Sequence, residues 1–210
     1  MTTPSWDWAY GEGGQAPWDI GRPQHAFLQL AEAGLLAGRV LDAGCGTGEH
    51  TLLAASAGAD ALGVDLSPLA IERARVKAAA RGIKARFEVA DALNLADLGL
   101  AFDTIIDSGL FHVFDDVDRA RYVKSLASVL RPGGTCYLMC FSDRQPGTIG
   151  PRRVSEDELR AAFGAGWTVQ SIVPDTFDLQ PAFEALFGSP SAQAWRADIE
   201  RVEGSGQARD

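Results

Sequence analysis

Residues 40 to 51 read VLDAGCGTGEHT, and this stretch decides the fold. A short apolar run reaches Asp42, glycines follow at positions 44, 46 and 48, and a helical pattern begins directly after them. Glycines at such a junction leave bare backbone that a ligand can approach at the carboxyl edge of a sheet. The spacing is G-x-G-x-G, not the G-x-G-x-x-G of dinucleotide sites, and an acid at the strand end suits a ligand with a cationic group, such as an α-amino group. A tight strand–helix turn alone would also use glycines, so the loop needs further support.

Two further aspartates follow predicted strands and supply that support. Asp65 lies 21 residues after Gly44 (65 − 44), about where an acid meets ribose hydroxyls in dinucleotide-type sites. Its two carboxylate oxygens can accept both hydroxyls of a cis-diol. Asp91 follows the next strand and is positioned to accept from an adenine amino group. A single aspartate after a strand is commonly a helix cap, but three successive strand ends that finish in aspartate exceed what capping predicts.

Helical and strand-like segments alternate along the chain from about residue 24. Several strand-like runs are apolar throughout, which is typical of a parallel sheet that is covered on both faces. The pattern therefore predicts a doubly wound α/β fold. Predicted helices cover 24–36, 49–59, 67–82, 116–131, 154–167 and 180–187, and predicted strands begin at 39, 60, 84, 102, 135, 167 and 191. Ser67 and Gly82 are predicted to cap the third helix, Pro132 to stop the fourth, and Ser155 with Glu158 to start the fifth as a capping box. The run from 191 to 202 is ambiguous between helix and strand, and we favour an edge strand.

Composition limits the domain count and the kind of partner. A chain of 210 residues with 46% hydrophobic residues is long enough for one sizeable core, so 24–203 is predicted as one domain, 1–23 as an N-terminal segment and 204–210 as a tail. The net charge of −9 argues against nucleic-acid binding. Apolar runs are too short to span a membrane. No secretory signal is visible and the cysteines, at 45, 136 and 140, are odd in number, which favours the cytoplasm. Zinc spacing is missing, so no metal is expected. The oligomeric state is not predicted.

The N-terminal segment is rich in aromatic residues and in residues that break helices. It contains QAPWDIGRPQ at 15–24 and four large aromatic side chains, at Trp6, Trp8, Tyr10 and Trp18. A disordered tail would be poor in such residues. The sheet edge that carries the glycine loop lacks a cover from residues 38–141 alone. The segment is therefore predicted to lie over that edge as a lid, with Trp6, Trp8 and Tyr10 toward a second ligand.

The motifs together resemble those of a known family. VLDAGCGTGEHT, GVDLSPLAIERAR, VADA, FDTIIDSGLFHVF and RPGG are similar, in order and spacing, to the successive motifs of class I S-adenosylmethionine-dependent methyltransferases. The likeness covers most of 38–141. It implies a Rossmann-like seven-stranded sheet in the order 3-2-1-4-5-7-6 with the last strand antiparallel, and S-adenosylmethionine as cofactor.

The resemblance also implies roles for individual residues. It places Gly44, Cys45, Gly46 and Gly48, with Asp42, against the methionine part of the cofactor; Asp65, Leu66 and Ser67 beside the ribose; Asp91 and Ala92 beside the adenine; and Asp107 and Ser108 near the methyl group. DSGLFH offers one acid with no neighbouring Asp-Asn pair, so the magnesium of catechol-type relatives is not expected.

PWDIGRPQ and DSGLFHVF are similar to segments of small-molecule methyltransferases, namely the thiopurine and halide/thiol group and bacterial enzymes that methylate heterocyclic or quinone-like toxins. This likeness implies that Trp18 belongs to a lid over the cofactor and that Arg22 contacts the methionine carboxylate. His112 would position or deprotonate the methyl acceptor. Phe111 and Phe114, with the aromatic residues of the lid, would contact a planar small molecule.

Several alternatives stay open at this point. A thiol, halide or thiopurine acceptor is the alternative within the family, and a non-catalytic cofactor-binding regulator is the alternative outside enzymes. A nicotinamide oxidoreductase is disfavoured by the glycine spacing and because Leu126, not lysine, follows Tyr122 by four residues. A nucleic-acid or protein methyltransferase is disfavoured by the acidic charge and by the missing Asn-Pro-Pro-Tyr-like motif after the fourth strand.

Overall fold

The computed structural model describes residues 6–11 and 16–203. The side chain of Trp8 and the predicted tail, 204–210, lie outside the described part. Seven strands form one sheet in the order β3-β2-β1-β4-β5-β7-β6, and β7 runs antiparallel to both of its neighbours. This confirms the predicted fold class and strand order. The strands are β1 (Arg39–Ala43), β2 (Asp60–Asp65), β3 (Arg86–Val89), β4 (Phe102–Ser108), β5 (Leu130–Phe141), β6 (Trp167–Asp178) and β7 (Ser191–Arg201).

Helices cover both faces of the sheet. One core contains Tyr122, Leu126 and Leu159 from helices on one face, and the other contains Phe27 and Ala54 from helices on the opposite face. The helices are α1 (Asp7–Tyr10), α2 (His25–Glu32), α3 (Glu49–Ser56), α4 (Pro68–Arg81), α5 (Asp116–Val129), α6 (Glu156–Ala162) and α7 (Glu184–Phe187). Short 3₁₀ stretches cover Ala92–Leu98, Phe111–Val113 and Pro181–Phe183.

Helix ends follow the local chemistry of the sequence. The hydroxyl of Ser67 accepts from the backbone N of Ala70 at 3.2 Å at the start of α4, and Gly82 ends that helix with a φ of +65°. Ser155 and Glu158 form the predicted capping box at the start of α6. These three boundaries were predicted because each depends on contacts within one turn of helix.

Two helix ends and the start of β5, at Leu130 instead of residue 135, differ from the prediction. The first helix ends at Glu32, not near residue 36, and α5 ends at Val129, before Pro132. Leu130 already pairs with Phe102, after which the register jumps so that Thr104 pairs with Thr135. Tertiary pairing of β5 with β4 therefore ends the helix before proline would. The ambiguous run from 191 is strand β7, as favoured.

Within the described residues, no helix combines the length and apolar character needed to cross a membrane.

Candidate cofactor and acceptor site

The glycine loop turns the chain between β1 and α3 at the carboxyl edge of the sheet. Gly48 has a φ of +88°, and a Cβ atom there would lie 2.7 Å from Cε1 of Phe87. Gly46 has a φ of +52°, and a Cβ atom there would lie 3.0 Å from the hydroxyl oxygen of Tyr10. Only glycine combines a left-handed backbone with the absence of a side chain. The loop therefore needs glycine at both positions, and its backbone stays open to close approach.

Asp65 ends β2 beside this loop. Its Oδ2 accepts from the backbone N of Gly46 at 2.8 Å, and its Oδ1 accepts from the backbone N of Ser67 at 2.9 Å. Burial raises the pKa of this carboxyl, although the backbone donors oppose the shift. Each oxygen has a remaining lone pair for a further donor. Asp65 thus ties the loop to the start of α4 and still offers acceptors at the sheet edge.

Asp42, below the loop, is almost completely buried. Its Oδ2 accepts from the hydroxyl of Thr51 at 2.6 Å, whereas Oδ1 is buried and has no partner among the described residues. Burial raises the pKa of this carboxyl to about 7, and the nearby carboxyls of Asp65 and Asp107 add to the shift. A buried acceptor without a donor is costly. The free oxygen fits a ligand that brings a donor or a cation to the loop.

Asp91 lies at the end of β3, next to the end of β2. The backbone N of Ala90 donates to the carbonyl of Asp65 at 3.1 Å and holds the two strand ends together. The carboxylate of Asp91 accepts from the backbone N of Leu93 at 2.9 Å and from Nδ2 of Asn94 at 2.8 Å. Asp91 therefore caps the following 3₁₀ stretch on the strand end adjacent to Asp65. Leu66 and Ala92 are half-buried beside these acids.

Asp107 serves the protein's own turn and does not face the cleft as expected. Its carboxylate is fully buried and accepts from the backbone N of Leu110 at 2.7 Å, from the backbone N of Phe111 at 3.1 Å and from the hydroxyl of Tyr122 at 2.9 Å. Burial raises its pKa to about 6. Both oxygens of Asp107 are thus engaged in the core, whereas Ser108 lines the cleft. The place of these two residues beside a methyl group stays a prediction.

The structure also separates Phe111 and Phe114 from the predicted acceptor side. The ring of Phe111 is fully buried, with Phe163 at 5.7 Å and the guanidinium of Arg119 at 4.6 Å from its centre. The ring of Phe114 packs at 4.9 Å on Tyr122. Successive side chains of a 3₁₀ turn point about 120° apart. His112 therefore leaves this turn in another direction from Phe111, and both phenylalanine rings belong to the core under α5.

His112 lies with aromatic residues on the opposite side of that turn. Its ring centre is 5.2 Å from that of Phe141 and 6.0 Å from that of Phe177. Nδ1 accepts from the backbone N of Phe141 at 2.9 Å. Burial lowers the pKa of this imidazole to about 3, with further contributions from the positive charges of Arg119 and Arg153. Neutral histidine is therefore the form held here.

The leader, defined here as residues 16–24, crosses above the glycine loop. Nε1 of Trp18 donates to the hydroxyl of Tyr10 at 3.1 Å, and that hydroxyl is the group nearest to Gly46. The ring of Trp6 meets that of Trp18 edge-on at 6.2 Å. Trp18 is 42% exposed. Three of the predicted lid aromatics thus come together over the loop.

Polar contacts fasten the leader to distant parts of the chain. The hydroxyl of Thr47 donates to Oδ1 of Asp19 at 2.9 Å, and the backbone N of Gln24 donates to Nε2 of His50 at 3.1 Å. Arg22 donates to Oδ2 of Asp178 at 2.9 Å. The guanidinium predicted to bind a methionine carboxylate is thus paired with a protein carboxylate at the end of β6.

A charged cluster links the leader, the glycine loop and α4. Nζ of Lys77 donates to the hydroxyl of Thr47 at 2.6 Å and to Oε1 of Glu49 at 2.8 Å, and lies 3.7 Å from Oδ1 of Asp19. Arg81 pairs with the second oxygen of Glu49 at 2.7 Å. These cations and hydrogen bonds lower the pKa of Glu49 against the effect of burial. The cluster keeps Glu49 ionised at the start of α3.

The cleft between the leader and the loop is small. Its volume is about 50 Å³, and its walls include the leader, the glycine loop, Ser108 and Phe177. Pockets for small ligands usually measure roughly 300–1,000 Å³. The space between the leader and the loop in this arrangement is therefore too small for a nucleoside-sized molecule.

Several contacts at the site could not be read from the sequence. Thr51 and Tyr122 hold the buried acids Asp42 and Asp107, and Lys77 joins the loop to the leader. Nothing in the helical pattern distinguishes these residues from ordinary helix positions. Phe177 both lines the cleft and belongs to the core that contains Phe27.

Metal ligation finds no support in the described ranges, 6–11 and 16–203. No group of three or more histidine, cysteine or acidic side chains there could hold an ion. The three cysteines are free and buried. The polar groups at the site instead fit S-adenosylmethionine. The free oxygen of Asp42 suits its ammonium group, and the open glycine backbone suits its carboxylate. The lone pairs of Asp65 suit the diol of its ribose.

Comparison with known proteins agrees with this geometry. Residues 40–134 match the model of the "Methyltransferase domain" family. A 2-heptyl-1-hydroxyquinolin-4(1H)-one methyltransferase of Mycobacteroides abscessus is 41% identical over 161 residues, which are 75% of this chain and 71% of the relative. A probable thiol methyltransferase of Arabidopsis thaliana is 29% identical over 81% of this chain and 76% of that protein.

A solved structure is similar over almost the whole chain. It was reported under the heading "Conversion of a Disulfide Bond into a Thioacetal Group during Echinomycin Biosynthesis", and it matches with a TM-score of 0.82 and 38% identity over 94% of this chain and 92% of its own. Together with the glycine loop and the aspartates at the strand ends, these matches show that the chain belongs to the S-adenosylmethionine-dependent methyltransferases.

Proposed function

We propose that this methyltransferase transfers its methyl group to a heteroatom of a small planar aromatic or heterocyclic molecule, such as a hydroxyquinolone. The observation that carries the proposal is the group of rings beside Ser108. Phe177 lies 6.0 Å from His112 and 5.6 Å from Phe141, measured between ring centres, and it also lines the cleft with Ser108. Such flat apolar walls suit a planar ring. The relative named for a hydroxyquinolone supports this choice.

The cofactor side of the proposal assigns three groups of contacts. S-adenosylmethionine supplies an electrophilic methyl group on a sulfonium, so the protein has mainly to align the acceptor and exclude water. The glycine loop and Asp42 would hold the methionine part, and Asp65 the ribose hydroxyls. Asp91 would accept from the adenine amino group. Cys45, Leu66, Ser67 and Ala92 would line the same surface.

The leader is proposed as the lid over this cofactor. Trp18 and Tyr10 lie over the glycine loop in the present arrangement, so they would rest on the cofactor once it is bound. Trp and Tyr rings also attract a sulfonium cation at close range. Arg22 would leave Asp178 to reach the methionine carboxylate, and Trp6 and Trp8 would extend toward the acceptor.

A thiol acceptor is the second candidate, and the match to a probable thiol methyltransferase favours it. A thiolate is smaller and needs no flat wall. The aromatic rings at His112, Phe141 and Phe177 favour the planar acceptor over it. We also propose the cytoplasm as compartment, which three free cysteines support.

Turnover with a panel of acceptors tests the proposal. The protein is incubated with S-adenosylmethionine and, separately, a 1-hydroxyquinolin-4-one, a hydroxyquinone, a thiol or iodide, and products are identified by mass spectrometry. We expect the planar hydroxyl compounds to be methylated. Asp65→Ala should lose turnover, while Asp97→Ala, at an exposed aspartate, should retain it.

Two other results would reject the proposal. Methylation of the thiol or iodide alone would establish the second candidate. Binding of S-adenosylhomocysteine without methylation of any acceptor would instead indicate a cofactor-binding regulatory protein.

A further inference from the structure

The backbone of β5 determines which nitrogen of His112 carries hydrogen. The last pairing of β4 joins Ser108 to Met139, two residues before Phe141. The backbone N–H of Phe141 donates instead to Nδ1 of His112, at 2.9 Å. A backbone N–H can only donate, so Nδ1 must be without hydrogen. Neutral imidazole then carries its single hydrogen on Nε2.

The Nε2–H group lies at the end of β4, where an acceptor molecule is expected. A Cβ atom built on Gly109 would be 3.5 Å from Nε2 of His112 and 3.6 Å from Cζ of Phe177. Gly109 directly follows Ser108, which lines the cleft together with Phe177. Among the residues the structure describes, Nε2 has no hydrogen-bond partner. The ring therefore offers one donor beside the aromatic wall.

This arrangement is unsuited to general base catalysis. A base needs a nitrogen with a free lone pair, but Nε2 already carries hydrogen and Nδ1 is engaged by Phe141. Protonation would also place two N–H groups against each other at Nδ1. Burial also lowers the pKa of His112 to about 3, which makes the ring a weak base.

The charges around His112 favour an anion beside it. Arg119, from α5, and Arg153, from the loop after β5, act on the ring with positive charge. Glu158 and Asp116 lie 3.6 and 4.0 Å from the guanidinium of Arg119 and offset part of its charge. The carboxyl of Asp107 lies under the same turn, where Tyr122 and backbone N–H groups saturate it. An anionic acceptor thus meets a neutral N–H donor and the nearby charge of Arg153, for which the described part of the chain shows no carboxylate partner.

We propose that His112 donates Nε2–H to an oxygen of the acceptor and that the acceptor is a compound whose hydroxyl ionises in water before it binds, such as an N-hydroxy heterocycle or an acidic phenol. This inference rests on the proposed function. The hydroxyl proton goes to bulk water, the anionic oxygen forms the bond to the methyl carbon, and the carbon–sulfur bond breaks with its electron pair on sulfur. His112 gains and loses no proton, so it is a binding group for the anion.

A series of 1-hydroxyquinolin-4-ones and phenols with different hydroxyl acidities tests this on the unmodified enzyme. We expect the pH at which kcat/KM reaches half of its maximum to follow the pKa of each free acceptor. Acceptors that remain neutral at the assay pH should be poor substrates. A rising limb at one pH shared by all acceptors would overturn the proposal, because it would report a titrating base on the protein.

Two substitutions of His112 separate the proposed donation by Nε2 from the structural hydrogen bond that Nδ1 accepts from Phe141. His112→Asn keeps an acceptor oxygen near the position of Nδ1 but has no donor near Nε2, whereas His112→Gln brings an amide N–H close to the position of Nε2. We expect kcat/KM for an ionised acceptor to fall by about tenfold or more in His112→Asn. His112→Gln should recover part of that loss. Equal activity of both variants and the unmodified protein would show that no donor is used.

A binding measurement keeps this test independent of turnover. Absorbance of a hydroxyquinolone bound to the complex with S-adenosylhomocysteine reports whether its hydroxyl is ionised. We expect the bound compound to ionise at a lower pH than the free compound, and this shift to shrink in His112→Asn. Binding of the neutral form would overturn the assignment of His112 even if methylation is observed. Methylation restricted to thiols would instead reject the proposed function and leave the ionisation measurement to decide the donor role.

Discussion

The glycine loop and the leader meet at the same cleft, but different contacts hold them. The loop is shaped by its own backbone and by Asp65, which ends the neighbouring strand β2. The leader is held by side chains from far along the chain. Nε2 of Gln180 donates to the carbonyl of Ala16, His50 accepts from Gln24, and Thr47 donates to Asp19.

This difference indicates how each region should behave. Removal of one contact from the loop disturbs the strand–helix junction on which the sheet depends. We expect removal of one contact from the leader to leave the seven strands and their cores in place. The cleft between the two regions measures about 50 Å³, so the proposed role of the leader includes a shift away from the loop when a cofactor binds. Substitutions in the loop should therefore impair folding and binding together, and substitutions in the leader should impair binding alone.

The largest effect is expected for Gly48→Ala. The φ of +88° already strains any side chain, and the new Cβ would lie 2.7 Å from Phe87 and 2.9 Å from Ala74. We expect the free energy of unfolding to fall by about 3 kcal/mol and binding of S-adenosylhomocysteine to be lost. Urea denaturation and calorimetry measure the two quantities.

Gly58→Ala is the matched control for this substitution. Gly58 has a φ of +97°, but a Cβ atom there would have nothing within 4 Å. Gly58→Ala should lower the free energy of unfolding only by the backbone strain, about 1–2 kcal/mol, and leave binding of S-adenosylhomocysteine intact. Equal losses in the two variants would show that close packing at Gly48 contributes nothing.

Deletion of residues 1–22 should have the next largest effect. It removes Tyr10, Trp18 and Asp19 from above the loop but leaves the seven strands in place. We expect affinity for S-adenosylhomocysteine to fall at least about tenfold and turnover to disappear, with the circular dichroism spectrum retained. Normal affinity after the deletion would contradict the lid, and an unfolded product would contradict the separation between leader and sheet.

The same contrast explains what could be predicted from the sequence. Glycines, strand ends in aspartate and alternating periods are local signals, so the sheet order and the loop were predictable, with help from the family resemblance. Phe111 and Phe114 were assigned to the acceptor although they pack in the core under α5. Both rings are buried because of the direction of the 3₁₀ turn that follows β4. That direction depends on the hydrogen bond between Tyr122 and Asp107, which are 15 residues apart in the sequence. No spacing of residues along the sequence predicts a contact of this kind.

The pH dependence of leader anchoring is the third prediction. Nε2 of His50 accepts from Gln24, and burial lowers the pKa of this imidazole to about 4 from an ordinary value of 6.5. Unfolded chains therefore bind a proton before the folded protein does, so stability is lost as the pH falls from about 6.5 toward about 4.

His50→Gln is the comparison for this effect, since its amide oxygen can accept from Gln24 without titrating. Between these pH values the free energy of unfolding should fall more steeply for the unmodified protein than for the variant, by at most about 1.4 kcal/mol per pH unit. Asp42 and Asp107 shift in the opposite direction, but both proteins share that contribution. An equal change with pH in the free energy of unfolding of the two proteins, measured by urea denaturation, would exclude a contribution from the titration of His50.

The smallest effect is expected for Lys77→Gln, which tests whether the charged cluster couples the two regions. Lys77 joins Thr47 of the loop to Glu49, and its charge lies 3.7 Å from Asp19 of the leader. Arg81 still pairs with Glu49 after the change, and Lys77 is 26% exposed, so the loss of stability should be about 0.5–1 kcal/mol. Affinity for S-adenosylhomocysteine should weaken a few-fold and become less sensitive to salt.

Lys84→Gln, which changes the net charge equally at a residue without an ion pair in the described part of the chain, should leave affinity unchanged. If Lys84→Gln weakened binding as much as Lys77→Gln, net charge and not the cluster would account for the effect, and the loop and the leader would be coupled only through direct contacts such as that of Thr47 with Asp19.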